Sequence, residues 1–197
     1  GLMAGLSTWV KNEGLVFLLA TAIGVMVLVY EPKLVVRSLL RRFLPFLIGA
    51  LPPLTISLFY KFSMTPPNDL FDNQTMQIIL VRIFDPTRWA AIFSSLGKLA
   101  WNMGEWQQPL LLGMIALLII FWPRRRPGKL GLRVPLLVLF LTAMGYFMVY
   151  LITPHPLEWH LHYSADRLLF HLLPSFWLML FLFIRTPEEI LQTPHLD

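Results

Sequence analysis

Long apolar runs separated by short clusters of charge extend along the whole chain. Five runs approach the roughly 20 apolar residues that a helix needs to cross a bilayer; they are residues 14–30, 43–60, 106–122, 134–152 and 168–184. In lipid only helices and closed barrels satisfy every backbone hydrogen bond, and runs such as LLLGMIALLIIFW do not alternate as barrel strands do. The pattern predicts an all-α, polytopic transmembrane bundle with five full spans.

The first ten residues have the character of the end of one further helix. They begin inside an apolar run, without an initiator methionine and without the basic-then-apolar order of a signal peptide. We therefore expect a preceding part of the chain. Residues 1–197 are interpreted as a single transmembrane domain from the C-terminal part of a longer protein.

The charges between the runs predict which segments face the cytoplasm, because lysine and arginine are retained on that side. Residues 31–42 carry Lys33, Arg37, Arg41 and Arg42 against Glu31 alone, and residues 123–133 carry only basic charges. Residues 61–105 balance acidic and basic residues. We expect the first two segments to be inside and residues 61–105 to form an external segment, with residues 11–13 and 153–167 on the same outer face.

Two features modify this simple picture of spans and loops. Within the external segment, residues 89–103 are too short and too polar to cross, which predicts an interfacial helix with Trp89 and Trp101 at headgroup depth. In the second run, Pro52 and Pro53 remove two amide donors. They are expected to kink or break that helix.

Composition agrees with a membrane protein and excludes several function classes. The chain is 56% hydrophobic and 14% charged, with a mean hydropathy of +0.64, against roughly 45–50% and about 25% in soluble domains. The net charge of +5 is accounted for by the orienting loops, so no nucleic-acid partner is expected. The lack of cysteine excludes a thiolate zinc site and a cysteine nucleophile.

The first candidate site is the cluster Lys11-Asn12-Glu13-Gly14, which predicts a tight external turn between two short helices. Charged groups beside apolar spans are costly and are therefore functional candidates. The alternative is a solvated turn in which the lysine and the glutamate neutralise each other, since exposed pairs of this kind are common and weak.

The second candidate site precedes the last span. Ser164 is predicted to cap that helix, with Asp166 in its first turn and Arg167 beside free backbone amides, an arrangement that suits a phosphate. If the helix extends further towards the N-terminus, His160, Ser164, Arg167 and His171 share one face, directed at the bundle interior. The alternative for Arg167 is pairing with Asp166 or contact with lipid headgroups.

A metal site in the same segment is the weaker interpretation. Its candidate ligands are His155, Glu158, His160 and His162. On a helix, His160 and His162 diverge by about 200°, and the spacing matches no H-E-x-x-H motif. No metal ligand is assigned, and the cofactor is left open with a divalent cation as one candidate.

Two segments resemble a known family of membrane enzymes. Residues 1–18, GLMAGLSTWVKNEGLVFL, resemble the small-residue helix and K-N-E-G turn of bacterial members of the GT-C glycosyltransferase superfamily, relatives of the dolichyl-phosphate-mannose protein mannosyltransferases. Residues 153–175, TPHPLEWHLHYSADRLLFHLLPS, are similar to a late W-H-L-x-x-S-x-x-R-L-L-x-x-L-x-P segment of the same group. The rest of the chain matches only in hydropathy.

The resemblance implies a bacterial plasma-membrane enzyme that passes a sugar from a polyprenyl-phosphate carrier to an acceptor outside the cytoplasm. Such enzymes place an acidic catalytic base in an earlier external loop, to which nothing here corresponds, so the catalytic residue is unknown and this portion alone is expected to be inactive. The resemblance implies donor-phosphate contacts by Arg167, Ser164 and Lys11, with Glu13 and His160 as further candidates. The implied partners are the lipid-linked sugar donor and membrane lipids, with the oligomeric state left open.

Two other function classes fit parts of the sequence. A lipid or small-molecule transporter or flippase would use the same cations without bond cleavage, although transporters place their sites near the midplane and often contain inverted repeats, and no repeat is visible here. A non-catalytic membrane scaffold would use the external segment for docking. The scaffold hypothesis predicts that Arg167 is dispensable.

Overall fold

The computed structural model describes residues 1–10, 12–31, 36–64, 74–102, 110–121 and 130–184. These residues are helical almost throughout, and none of them forms a strand. The elements are α1 (Leu2–Leu6), a 3-10 turn (Ser7–Trp9), α2 (Glu13–Val29), α3 (Val36–Met64), α4 (Met76–Ile83), α5 (Pro86–Asn102), α6 (Leu110–Ile120), α7 (Leu130–Ile152) and α8 (Leu157–Phe183). The predicted all-α class is confirmed.

Three of the described helices are long and apolar enough to cross a membrane. They are α3, the Arg133–Ile152 part of α7, and α8, and they contain three of the five predicted spans. The other two predicted spans correspond to α2, an apolar helix of 17 residues, and to α6, of 11 residues. That α2 and α6 also cross stays a prediction.

Several sequence predictions fall outside the described residues. They concern Lys11, residues 32–35 and 122–129 of the two predicted cytoplasmic loops, residues 65–73 of the external segment, and residues 103–109 before α6.

The chain divides into two compact units. The first contains Gly1–Phe84 and Arg133–Pro154, and the second contains Asp85–Leu132 and His155–Asp197. In the first unit, α1 and α3 bury a common core to which α2 adds partly buried side chains. The buried members are Ala4, Phe43, Phe46 and Ala50, and the partly buried ones are Leu18, Ala22, Val25, Met26 and Leu47.

Small residues let α1 lie directly on α3. A Cβ added to Gly5 would lie 2.6 Å from both the carbonyl oxygen of Ala50 and the ring Cγ of Pro53. A Cβ on Gly49 would lie 2.8 Å from the backbone nitrogen of Leu2. Close backbone approach at small residues is typical of helix pairs in membranes, where apolar burial alone does not drive association.

The double proline does not break α3, and a kink at that point stays a prediction. The helix is continuous from Val36 to Met64 with Pro45, Pro52 and Pro53 inside it. A proline removes one amide donor but keeps a helical φ, and a neighbouring helix can support the backbone at that point. Here α1 provides that neighbour, since Pro53 is buried and its ring packs against Gly5.

The side chains of Gln74 and Arg82 cap the C-terminal end of α7. The carbonyl oxygen of Ile152, the last residue of α7, accepts hydrogen bonds from Gln74 Nε2 at 3.1 Å and from Arg82 Nη1 at 3.2 Å. Arg82 also donates to the Gln74 side-chain oxygen. The last carbonyls of a helix have no partner within it and carry partial negative charge, so a guanidinium at this end stabilises α7.

Replacing Arg82 by alanine is expected to lower the free energy of unfolding by about 1–2 kcal/mol, because a charge-assisted bond to the helix end is lost. The thermal-unfolding midpoint of the purified protein in detergent measures this. Arg37→Ala is the matched control, since Arg37 is exposed. Equal midpoints for the two variants would contradict the capping role of Arg82.

In the second unit, α5 is packed against both α6 and α8. Its start is capped by Asp85, which accepts hydrogen bonds from the Thr87 hydroxyl at 2.6 Å and the Thr87 amide at 2.9 Å. These bonds from Thr87 lower the pKa of Asp85, so the cap stays ionised at neutral pH. A helix thus exists where the interfacial helix was predicted, while its place at the membrane surface stays a prediction.

The start of α8 corrects the prediction made for Ser164. The helix begins at Leu157, with Pro156 before it, so Ser164 lies in its interior and is not its N-cap. The Ser164 hydroxyl donates to the His160 carbonyl oxygen at 2.7 Å, the bond that a serine inside a helix can make four residues back. The expected free amides beside Arg167 are therefore engaged in the helix and offer nothing to a phosphate.

Candidate functional site

The first unit contains an open cavity of about 650 Å³ where the turn after α1 meets the end of α3. Exposed side chains on its rim, among them Val10, Ile56 and Tyr60, open it at the surface of the unit. The complete lining is Thr8, Trp9, Val10, Asn12, Glu13, Ile56, Ser57, Tyr60 and Lys61. Its volume lies within the roughly 300–1,000 Å³ of small-molecule sites.

Local hydrogen bonds shape the turn that forms one wall of the cavity. The Ser7 hydroxyl donates to the Ala4 carbonyl oxygen and the Thr8 hydroxyl to that of Gly5, both at 2.7 Å. A Cβ on Gly14 would overlap the Ser7 carbonyl oxygen. Lys11 of the turn predicted at residues 11–14 lies outside the described residues, so that turn stays a prediction. Gly14 lies in the first turn of α2, where the Ser7 backbone leaves no room for a side chain.

Two crossing hydrogen bonds attach this turn to α3. The Trp9 indole Nε1 donates to the Pro53 carbonyl oxygen at 2.9 Å, and the Ser57 hydroxyl donates to the Thr8 carbonyl oxygen at 3.1 Å. Thr8 and Ser57 are buried. Because each side contributes one donor and one acceptor, the turn is held against α3 in one register.

The charged end of the cavity is formed by Glu13 and Lys61. Glu13 lies in the first turn of α2 and Lys61 in the last turn of α3, so each charge opposes the partial charge of its own helix end. Both Glu13 and Lys61 are half-buried.

The remaining lining determines what such a cavity can bind. Trp9 and Tyr60 offer aromatic faces, and Val10 and Ile56 are aliphatic. A ligand that combines an anionic or hydroxyl-bearing group with an apolar part would satisfy both regions, since the ammonium and carboxylate bind the polar part and the apolar side chains cover the rest.

The sequence-predicted site residues are distributed between the two units. Glu13 lines the cavity of the first unit, and Lys11 lies outside the described residues. His160, Ser164 and Arg167 lie on α8 in the second unit.

The helical face predicted for the α8 residues is present, but its burial is uneven. The helix includes His160, Ser164, Arg167 and His171, as the predicted common face requires. Ser164 is buried, His160 and Arg167 are half-buried, and His171 is exposed. The expectation that the whole face points inward is therefore wrong at His171. The Arg167 amide donates to the Asp166 carboxylate at 2.7 Å.

The α3 side of the cavity was not predicted from the sequence. Lys61 was counted only as one charge of the external segment, and Ser57 and Tyr60 were not singled out. The sequence did contain a signal for this face. Tyr60 and Lys61 follow Ser57 by three and four residues, so the three side chains lie on one face of the helix at the end of an apolar run. The partner of that face, the turn at residues 8–13, is distant in sequence.

No group of three or more histidine, aspartate or glutamate side chains in the described parts of the chain could hold a metal ion. His155, Glu158, His160 and His162 are all described, so they do not form the metal site that was weighed for them.

Among the residues that the structure describes, the secondary structure is helical, and three helices are long and apolar enough to cross a membrane, which is compatible with an integral membrane protein. No protein-family model matches the chain, and no curated protein or solved structure matches it either.

Proposed function

We propose that the chain is part of an integral-membrane glycosyltransferase that moves a sugar from a polyprenyl-phosphate carrier to an acceptor outside the cytoplasm. The observation that carries this proposal is the cavity of the first unit. It places Glu13, from the turn on which the GT-C resemblance rests, in one lining with Lys61 and the aromatic residues Trp9 and Tyr60.

The lining suits each part of a lipid-linked sugar. The Lys61 ammonium would pair with the carrier phosphate, and Glu13 would accept hydrogen bonds from sugar hydroxyls. Trp9 and Tyr60 would cover the apolar face of the sugar ring or the first isoprene unit. Because the cavity is open at its rim, the prenyl chain could extend into the bilayer while the polar head stays bound.

A fixed cation also supports the chemistry of transfer. As the glycosidic bond breaks, negative charge develops on the departing polyprenyl phosphate, and a cation held beside it stabilises this transition state more than the ground state. The resemblance also assigns a phosphate contact to Arg167, a half-buried residue of the second unit. The catalytic base stays unassigned.

The proposal includes a membrane arrangement. We place all five apolar runs across a bacterial plasma membrane, with α5 at the interface and residues 61–105 outside. The turn at residues 8–13 and the end of α3 then lie on the outer side, where an extracytoplasmic acceptor would meet the donor. The asymmetry of basic residues between the loops supports this orientation.

Single-cysteine labelling measures the orientation, and the background is clean because the chain has no cysteine. We expect an impermeant maleimide to label Ser94→Cys in intact cells, since Ser94 is exposed on α5, and to label Arg125→Cys only after lysis. Labelling of Arg125→Cys in intact cells would contradict the arrangement.

The function itself is tested with the full-length protein in proteoliposomes. A panel of radiolabelled polyprenyl-phosphate hexoses and pentoses serves as donor, with a membrane extract as the source of acceptor. We expect the label to leave at least one carrier and polyprenyl phosphate to accumulate. Movement of an intact carrier between leaflets would indicate a flippase, and an inert protein that binds none of the carriers would indicate a scaffold; either result contradicts the proposal.

A further inference from the structure

The second unit has a groove of its own, between α5 and α8, with a volume of about 530 Å³. Polar residues of both helices line it, at intervals of three or four residues along each helix. One rim is formed by Ser95, Lys98 and Asn102 of α5, and the other by Glu158, His162 and Asp166 of α8. The steps of three and four residues place each set on one helix face.

Between the two rims the groove has an apolar floor. Leu99 comes from α5, and Leu161 and Ala165 come from α8. Leu161 and Ala165 are buried, whereas Glu158, His162 and Asp166 are exposed. An apolar floor between two rows of hydrogen-bonding groups complements a ring that is apolar on its face and polar around its edge.

The charge of the groove restricts the ligand further. Two carboxylates oppose one lysine, so with neutral histidine the lining carries a net charge of −1. A phosphate or carboxylate ligand would be repelled, which separates this groove from the cation-bearing cavity of the first unit. The carboxylates are acceptors, and asparagine, serine and lysine supply donors, a mixture that suits a ligand with many hydroxyl groups.

An aromatic series lies beside the α8 rim. The rings of His155 and Trp159 are 5.6 Å apart and those of Trp159 and Tyr163 are 5.3 Å apart, measured between centroids. Trp159 is 52% exposed and Tyr163 is 65% exposed. At about 100° per residue, Trp159 and Tyr163 lie about 100° around the helix from Glu158 and His162, on the side away from the apolar floor, so these rings are not part of the groove lining.

We infer that the groove between α5 and α8 binds a neutral saccharide, with its ring on the apolar floor and its hydroxyl groups on the two polar rims. Its identification as the sugar acceptor rests on the proposed function, whereas the binding of a saccharide does not. The groove would then supply acceptor recognition in one unit, and the cavity would bind the lipid phosphate in the other.

Saturation-transfer NMR on the full-length protein in nanodiscs tests the inference. The probes are a set of neutral methyl glycosides and disaccharides, with glucose 1-phosphate as the charged comparison. We expect at least one neutral probe to bind saturably and glucose 1-phosphate to bind more weakly. The double variant Glu158→Gln, Asp166→Asn should weaken binding roughly tenfold or more, since two charge-assisted acceptors are lost.

Glu31→Gln is the matched control, because Glu31 is an exposed carboxylate in the other unit, paired with Arg42 at 2.6 Å. Thermal unfolding of both variants shows whether the fold is retained. Absence of binding by every neutral probe would overturn the inference. Binding that the groove variants leave unchanged would overturn it as well.

The same samples separate this inference from the proposed function. Lys61→Met is expected to weaken the binding of a polyprenyl phosphate and to leave glycoside binding unchanged. If no variant or wild-type sample binds polyprenyl phosphate while glycosides still bind at the groove, the proposed transferase fails and the saccharide site stands.

Discussion

Replacement of Arg167 by alanine in the full-length protein is expected to slow sugar transfer roughly 30- to 1,000-fold. A charge-assisted contact to a developing phosphate charge contributes about 2–4 kcal/mol to transition-state stabilisation in a water-poor site. Arg167→Lys should also impair transfer, because lysine keeps the charge but loses the planar geometry that matches two phosphate oxygens. The measurement is the initial rate of sugar release from the carrier.

The control for Arg167 is Arg37→Ala, which removes an exposed arginine in the first turn of α3. Correct insertion of each variant is verified by labelling a cysteine at Ser94. Near-normal transfer by a correctly inserted Arg167→Ala protein would exclude the phosphate role of Arg167. It would leave this arginine as a headgroup-facing residue and favour the scaffold hypothesis.

The second large effect is expected at Lys61. Lys61→Met should weaken the binding of polyprenyl phosphate roughly 10- to 100-fold, because a hydrogen bond to a charged group contributes about 1.5–3 kcal/mol and each 1.4 kcal/mol is a factor of about ten. Lys61→Arg should retain most of the affinity. Titration of the full-length protein in nanodiscs with a short-chain polyprenyl phosphate measures the effect.

A double-mutant cycle distinguishes ligand binding by Lys61 from a purely structural pairing with Glu13. If Lys61 only neutralises Glu13, the Glu13→Gln change in the Lys61→Met protein should restore both stability and lipid binding. If Lys61 binds the phosphate, stability is restored and binding stays weak. Arg37→Met is the matched control at the other end of the same helix, roughly 36 Å away at 1.5 Å per residue.

Much of the fold could be predicted because it depends on short-range patterns. Continuous apolar runs require helices in lipid, and three of the five runs lie within helices long enough to cross. The turn at residues 11–14 rests on a local signal too, a charged and glycine-containing break between apolar segments, and it stays a prediction. The structure adds that Gly14 is needed for the approach of the Ser7 carbonyl.

The sequence predictions failed where the same residue type can form either of two local structures. A serine before an apolar run is typical of a helix start, but the same hydroxyl can bond to a carbonyl one turn earlier inside a helix, as Ser164 does. The double proline in α3 was expected to kink or break the helix. The helix is not broken there, and Gly5 of α1 lies against the ring of Pro53.

The cavity itself could not be predicted from local pattern. Lys61 and Glu13 are separated by most of α2 and α3, and their proximity depends on the bonds that Trp9 and Ser57 make across the α1–α3 contact. Only the tertiary structure shows that Lys61, which belongs to a segment of balanced charge, lines the same cavity as the turn at residues 8–13. The main cation of the candidate site, Lys61, could therefore be identified only from the fold.

The central claim is that this cavity holds the polar head of a lipid-linked sugar, and photocrosslinking tests it most directly. A polyprenyl phosphate with a diazirine on its first isoprene unit is irradiated with the full-length protein in nanodiscs, and the labelled peptides are sequenced. We predict labelling within residues 8–13 and 56–61, reduced by unlabelled polyprenyl phosphate and by Lys61→Met but not by Arg37→Met. Labelling outside both segments would contradict the claim. Labelling that is reduced neither by unlabelled polyprenyl phosphate nor by Lys61→Met would also contradict it.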